Sequence, residues 1–170
     1  MIRYLLVGNE VLSYNSEQGH QMWHDLVPAM RSIERSLKAQ NIRQIKIGTP
    51  LAMDVLQSTF PPSRGTFRSD VIGSVIVPML KFLDRTKSFF FIDAYPYFPW
   101  SQNPYNISLE FALFKGNYNL RDPGSGLVYT NLLDQMLDSH HPLEPQPDPE
   151  SQYPPSSSLC LMKTKNQVQI

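Results

Sequence analysis

The residues with the sharpest chemical promise are Gly8-Asn9-Glu10, which end the apolar run that opens the chain. A carboxylate directly after a buried parallel strand stands at the C-terminal edge of its sheet, where α/β folds collect their active sites. There Glu10 can act as general acid or base, and Asn9 can hydrogen-bond a polar ligand. A helix-capping or solvated loop carboxylate is the other reading of the same residues. A second group is Tyr95-Pro96-Tyr97-Phe98-Pro99-Trp100. Aromatic rings on a Pro-bounded loop at a strand end can stack on sugar faces, or can fold down as a lid over the core. His20 and His24 are spaced for one helical face, but Gln21-Met22-Trp23 between them lacks the Glu of a zinc-hydrolase motif, so surface histidines and no metal site are expected. Gly124 and Gly126 predict a turn rather than a phosphate cradle, because no strand leads into them. Asn106-Ile107-Ser108 spells an N-glycosylation sequon.

Elements must hold these residues in place. The run 2–8, with Ile2, Tyr4, Leu5, Leu6 and Val7, does not alternate and predicts a strand covered on both faces. Leu26, Val27, Met30, Ile33 and Leu37 form one helical face, with Asp25 or a neighbour as the expected cap and Pro28 tolerable in the first turn. Residues 44–48 predict a second strand, and the prolines and glycine of 59–69 a loop. Ile72, Val75, Ile76, Met79, Leu80 and Leu83 are helically spaced, but Pro78 makes the regular helix start near Val77 or kink there. Ser88 to Ile92 predicts a third strand, 93–100 an aromatic loop, and Tyr129 to Leu137 a last helix with Leu132, Leu133, Met136 and Leu137 facing inward. Strands alternating with helices predict an α/β fold with a thin, open parallel sheet.

Composition narrows the partners. The 170 residues suit one ordinary domain, and fifteen Lys+Arg balance fifteen Asp+Glu. Neither a basic nucleic-acid surface nor a polybasic membrane surface is expected. No apolar window approaches the length of a transmembrane span. The lone Cys160 excludes an internal disulfide. The opening residues do not read as an export signal. Residues 139–158 hold six prolines, so 139–170 is expected to be a disordered Pro/Ser-rich tail behind a folded part at 1–138.

Seven segments in order resemble the middle of a plant family 17 glycoside hydrolase, the glucan endo-1,3-β-glucosidases. They are Tyr-Leu-Leu-Val-Gly-Asn-Glu-Val (4–11), Leu-Val-Pro-Ala-Met-Arg-Ser-Ile (26–33), Ile-Lys-Ile-Gly-Thr (45–49), Phe-Pro-Pro-Ser-Arg-Gly-Thr-Phe (60–67), Phe-Phe-Phe-Ile-Asp-Ala-Tyr-Pro-Tyr-Phe (89–98), Phe-Ala-Leu-Phe (111–114) and Tyr-Thr-Asn-Leu-Leu-Asp (129–134). The resemblance implies a partial (β/α)₈ TIM barrel, about three βα units matching the fourth to sixth. It also implies hydrolysis of internal β-1,3-glucosidic bonds with retention, no cofactor, a β-1,3-glucan partner, and a family location outside the cell or in the cell wall. By the same resemblance Glu10 is the proton donor (acid/base), and Asn9, Tyr95 and Phe98 contact sugar. Asp93 stands where the family usually has Asn, which adds a negative charge to that loop.

Retaining glycosidases work with two carboxylates about 5–5.5 Å apart. The family's nucleophile lies in a Glu-(Ser/Thr)-Gly-Trp-Pro motif. No such motif occurs in these 170 residues, whose tryptophans Trp23 and Trp100 are neither preceded by Gly nor followed by Pro. The expectation is therefore an enzyme family member whose present residues lack the nucleophile and do not catalyse alone. A non-catalytic glucan-binding protein and a truncated product without function are the alternatives. An open barrel segment, with its apolar flanks exposed, is also expected to be marginally stable or aggregation-prone as an isolated monomer.

Overall fold

The computed structural model describes residues 2–139; the Pro-rich segment 140–170, expected to be disordered, lies outside the described residues. The first elements are β1 (Tyr4–Leu6), α1 (Glu17–Ala39), β2 (Lys46–Gly48), β3 (Pro50–Ala52), β4 (Leu56–Ser58), β5 (Thr66–Phe67) and α2 (Ser69–Val71). They are followed by α3 (Val77–Thr86), β6 (Phe91–Asp93), α4 (Tyr97–Gln102), α5 (Leu109–Ala112), β7 (Leu120–Arg121), β8 (Val128–Tyr129) and α6 (Leu132–Asp138). They form two compact units, residues 2–52 with 70–92 and residues 53–69 with 93–139.

The first unit is built on a βαβ turn of the chain. β1 and β2 pair in parallel, Tyr4 opposite Lys46 and Leu6 opposite Gly48, and the Val7 N–H extends the ladder to the Gly48 carbonyl at 2.9 Å. β3 hydrogen-bonds to β6. Gly48 is a steric necessity, because a Cβ there would lie 2.5 Å from the Phe91 ring. The expected double cover of β1 is not seen. Leu6 is 45% exposed and Tyr4 and Leu5 are only half-buried, since β1 has one hydrogen-bonded neighbour, β2, among the described residues.

The long helix starts earlier than its apolar spacing implied. Ser16, not Asp25, is the cap, its Oγ accepting the Gly19 N–H at 3.0 Å. Trp23 belongs to the buried face, and its indole N–H donates to the Val11 carbonyl at 3.0 Å. Pro28 therefore sits inside the helix, where it removes one N–H; it and His24, the residue whose carbonyl is left over, are both exposed to water. Ser16→Ala is expected to cost about 1 kcal/mol, read as a lower urea midpoint in far-UV circular dichroism. Regular α3 does begin at Val77. Before it, Ile72–Ile76 widens into a π-turn in which the Val77 N–H reaches the Ile72 carbonyl, accommodating the ring of Pro78. Leu12, Met30, Leu51, Ile76, Met79 and Phe82 fill this unit's core.

The second unit replaces the expected loops with short ordered pieces. Residues 59–69 include β5, which pairs antiparallel with β4 across a 3₁₀ turn at Pro62–Arg64. The expected turn at Gly124 and Gly126 connects β7 to β8, and Tyr129 lies on β8 opposite Leu120 rather than in the last helix. α6 begins at Leu132 because Asn131 caps it, accepting the Asp134 N–H at 2.9 Å. Phe111, Ala112, Tyr129, Leu132 and Met136 form the core, with Trp100 and Tyr118 packed on it. Ser139 is wholly buried and closes α6. The backbone of Ser139 leaves no room beside Gly65, where a Cβ would lie 1.7 Å from its carbonyl oxygen.

Candidate active site

β1 ends at Leu6, and the chain then turns sharply. Gly8 has φ +70°, a conformation that glycine takes without penalty, and a Cβ there would lie 2.4 Å from the Val11 side chain. Glu10 is also left-handed, at φ 48° and ψ 39°. For a residue with a Cβ this costs about 1 kcal/mol or more, so neighbouring contacts must hold it. The Glu10 N–H donates to the Pro50 carbonyl at 3.0 Å, and the Glu10 carbonyl accepts the Ser13 N–H at 3.0 Å. Buried Val11 and Leu12 then anchor the following 3₁₀ turn. Glu10 is thus pinned just beyond the C-terminal end of a parallel strand, half-buried, beside an exposed Asn9. Backbone held this way on both sides can present a carboxylate for proton transfer with little reorganisation.

Thr49 is a residue the sequence reading did not single out. Its side-chain oxygen is buried and has no hydrogen-bond partner among the described residues. The residues on either side, Gly48 and Pro50, are the ones whose carbonyls hold Val7 and Glu10. Its one sequence signal is a hydroxyl residue wedged between glycine and proline at a strand end.

In the second unit the aromatic segment is a helix rather than a loop. Pro96 is its cap and Tyr97–Gln102 its body, consistent with proline's fitness for a first turn. The two readings of this segment divide between its residues. Trp100 is half-buried against the core. Tyr95, Tyr97 and Phe98 are 52%, 63% and 55% exposed. Phe98 meets Tyr95 and Tyr97 edge to face, each pair of ring centres 5.7 Å apart. These rings form an open apolar surface with two phenolic hydroxyls. Asp93, at the end of β6, is half-buried. Asn9 and Glu10 therefore share one loop of the first unit, and Tyr95 and Phe98 one ring cluster of the second.

The remaining candidates stay outside these groups. His20 and His24 are exposed on α1, with the His20 ring 4.2 Å from that of Trp23. Gly124 serves the turn held by Asp122. Asn106 is exposed and donates from Nδ2 to Asn103 Oδ1 at 2.8 Å. No helix among the described residues is long and apolar enough to cross a membrane.

Known proteins resemble this chain in sequence and fold. The profile of the glycosyl hydrolases family 17 matches residues 1–144. An Arabidopsis thaliana protein named "Probable glucan endo-1,3-beta-glucosidase A6" is 59% identical over 138 residues, covering 81% of this chain and 28% of that protein. The basic isoform of glucan endo-1,3-beta-glucosidase from Phaseolus vulgaris is 39% identical over 144 residues, covering 82% of this chain and 39% of its own length. Among solved structures, "CJP38, a beta-1,3-glucanase and allergen of Cryptomeria japonica pollen" superposes with a TM-score of 0.75 at 38% identity, over 83% of this chain and 42% of that one. The chain thus spans less than half the length of each of these relatives. With the profile matching most of the chain and these identities well above 30%, the chain belongs to the glycosyl hydrolases of family 17.

Proposed function

We propose that these residues supply the acid/base half of a retaining endo-1,3-β-glucanase site, within a barrel segment corresponding to the fourth to sixth βα units. The observation that carries this reading is Glu10, held in a strained left-handed conformation at the end of β1 by the Pro50 carbonyl. In the proposed reaction Glu10 protonates the glycosidic oxygen as the bond to the leaving sugar breaks. It then takes a proton from the water that hydrolyses the glycosyl-enzyme intermediate. Asn9 hydrogen-bonds the sugar beside that carboxyl, and Tyr95 and Phe98 stack on further residues of the β-1,3-glucan. A polysaccharide substrate puts the work outside the cell or in the cell wall. The nucleophilic carboxylate is not among these 170 residues, since the Glu-(Ser/Thr)-Gly-Trp-Pro motif is absent from them. Glucan binding without hydrolysis is the second reading of the same surface, favoured by the exposed rings of Tyr95, Tyr97 and Phe98.

The sugar contacts are testable on the 170-residue chain immobilised at low density and titrated with a β-1,3-linked glucohexaose. Tyr95→Ala and Phe98→Ala are each expected to weaken binding about 10-fold, the scale of one lost ring contact. Unchanged affinity in both would remove Tyr95 and Phe98 from the site.

A further inference from the structure

A cavity of about 300 Å³ lies wholly within the second unit, and none of Asn9, Glu10, Tyr95 or Phe98 lines it. Thirteen residues do, and not one is charged. An ionic ligand would lose its hydration there without a counter-charge, which selects against anions and cations alike. Phe60, Phe111 and Tyr118 provide aromatic walls.

The polar lining combines the amides of Asn103, Asn106 and Gln135 with the hydroxyls of Thr59, Ser108 and Tyr118. Gln135, on α6, is only 6% exposed and lines the cavity, yet no described residue hydrogen-bonds its side chain. An amide that faces the cavity can exchange hydrogen bonds with a ligand able to donate and accept. At the rim, the bond from Asn106 Nδ2 to Asn103 Oδ1 orients both side chains. It leaves the Asn103 amide as a donor next to the Asn106 oxygen as an acceptor. The Tyr118 hydroxyl is already bonded to Ser108 and is not free for this purpose.

Uncharged aromatic walls, a cavity-facing amide and a donor–acceptor pair at the mouth match one ligand chemistry. That is a pyranose, whose C–H face lies on rings while each hydroxyl both donates and accepts. The volume suits on the order of one or two sugar rings, not a long chain. We propose that this cavity is a second carbohydrate site, taking a neutral hexopyranose residue, with Gln135 as its buried recognition group. It stands independently of the acid/base reading of Glu10.

The test is saturation-transfer NMR of methyl β-D-glucopyranoside with the 170-residue chain, produced unglycosylated so that Asn106 is bare. A saturable signal with millimolar affinity is expected, and sodium D-glucuronate is expected to give none. Gln135→Leu should weaken binding at least 10-fold, and Asn103→Ala, at an exposed position, about 3-fold or more. His24→Ala, at an exposed position in the first unit, should leave the signal unchanged. Absence of a saturable signal or equal binding of glucuronate would overturn the assignment. So would undiminished binding in Asn103→Ala, which decides the matter if Gln135→Leu does not fold.

Discussion

Glu10→Gln, placed in a full-length protein carrying this segment, is expected to lower kcat on linear β-1,3-glucan by roughly 10²–10⁴-fold, the range of a lost general acid/base. KM should change little, because Gln keeps the shape of Glu and most of its hydrogen bonding while losing the proton that the leaving oxygen takes up. The left-handed backbone at this position gives the prediction its precision. Gln tolerates that conformation no better and no worse than Glu, and the bonds to Pro50 and Ser13 use backbone atoms alone. The variant therefore removes chemistry without moving the loop. Retention of a tenth or more of wild-type kcat would take Glu10 out of the acid role. The companion expectation is that the 170-residue chain alone releases no reducing sugar from the same substrate, because a lone acid neither forms nor resolves a glycosyl-enzyme intermediate. Hydrolysis by the chain that disappears in Glu10→Gln would show that a second carboxylate is present after all.

Removing the Asp122 side chain should produce the largest loss of stability in the second unit, about 3 kcal/mol for Asp122→Ala. Asp122 is 2% exposed and ties two distant pieces of chain together. Its carboxylate accepts the Ser63 hydroxyl at 2.6 Å and the Ser63 N–H at 2.7 Å, and also the Gly124 N–H at 2.8 Å. Burial pushes this carboxyl up, but the bonds from the Ser63 hydroxyl and from the Gly124, Ser63 and Ser125 N–H groups outweigh it and hold the group at about 2, below the ordinary 3.8. The sign follows from the depression. The stabilisation is fully present above about pH 4, where an unfolded aspartate is also ionised, and is lost as the pH falls through 2. Urea unfolding followed by Trp100 fluorescence should show a midpoint that drops between pH 4 and pH 2 in the wild type. In Asp122→Ala the midpoint should be lower at pH 7 and flatter across that acid range. A wild-type-like midpoint at pH 7 would mean that the Ser63 anchor carries little of the fold.

Local pattern made a good part of this legible. The strand–helix alternation, the start of regular helix at Val77 forced by Pro78, the turn at Gly124 and Gly126, and the carboxylate at a strand end all rest on residues within one turn or one strand of each other. Where expectation and structure part, a distant partner had decided. Ser16 displaced Asp25 as the cap because Trp23 reaches Val11, which extends the buried face of the helix backward. β5, β7 and β8 span two residues each, too short to carry a period, and form only because a second short strand meets them. Tyr129 left the last helix for the same reason, its backbone taken up by Leu120.

The sequence by itself determined the family, since seven ordered segments are properties of neighbours along the chain. Only the tertiary structure decided which aromatic rings stay open, that Trp100 packs inward while Phe98 does not, and that Gln135 is buried beside an uncharged cavity. Exposure and hydrogen-bond satisfaction depend on atoms brought in from residues as far apart as Phe60 and Met136, and a linear pattern does not record those encounters.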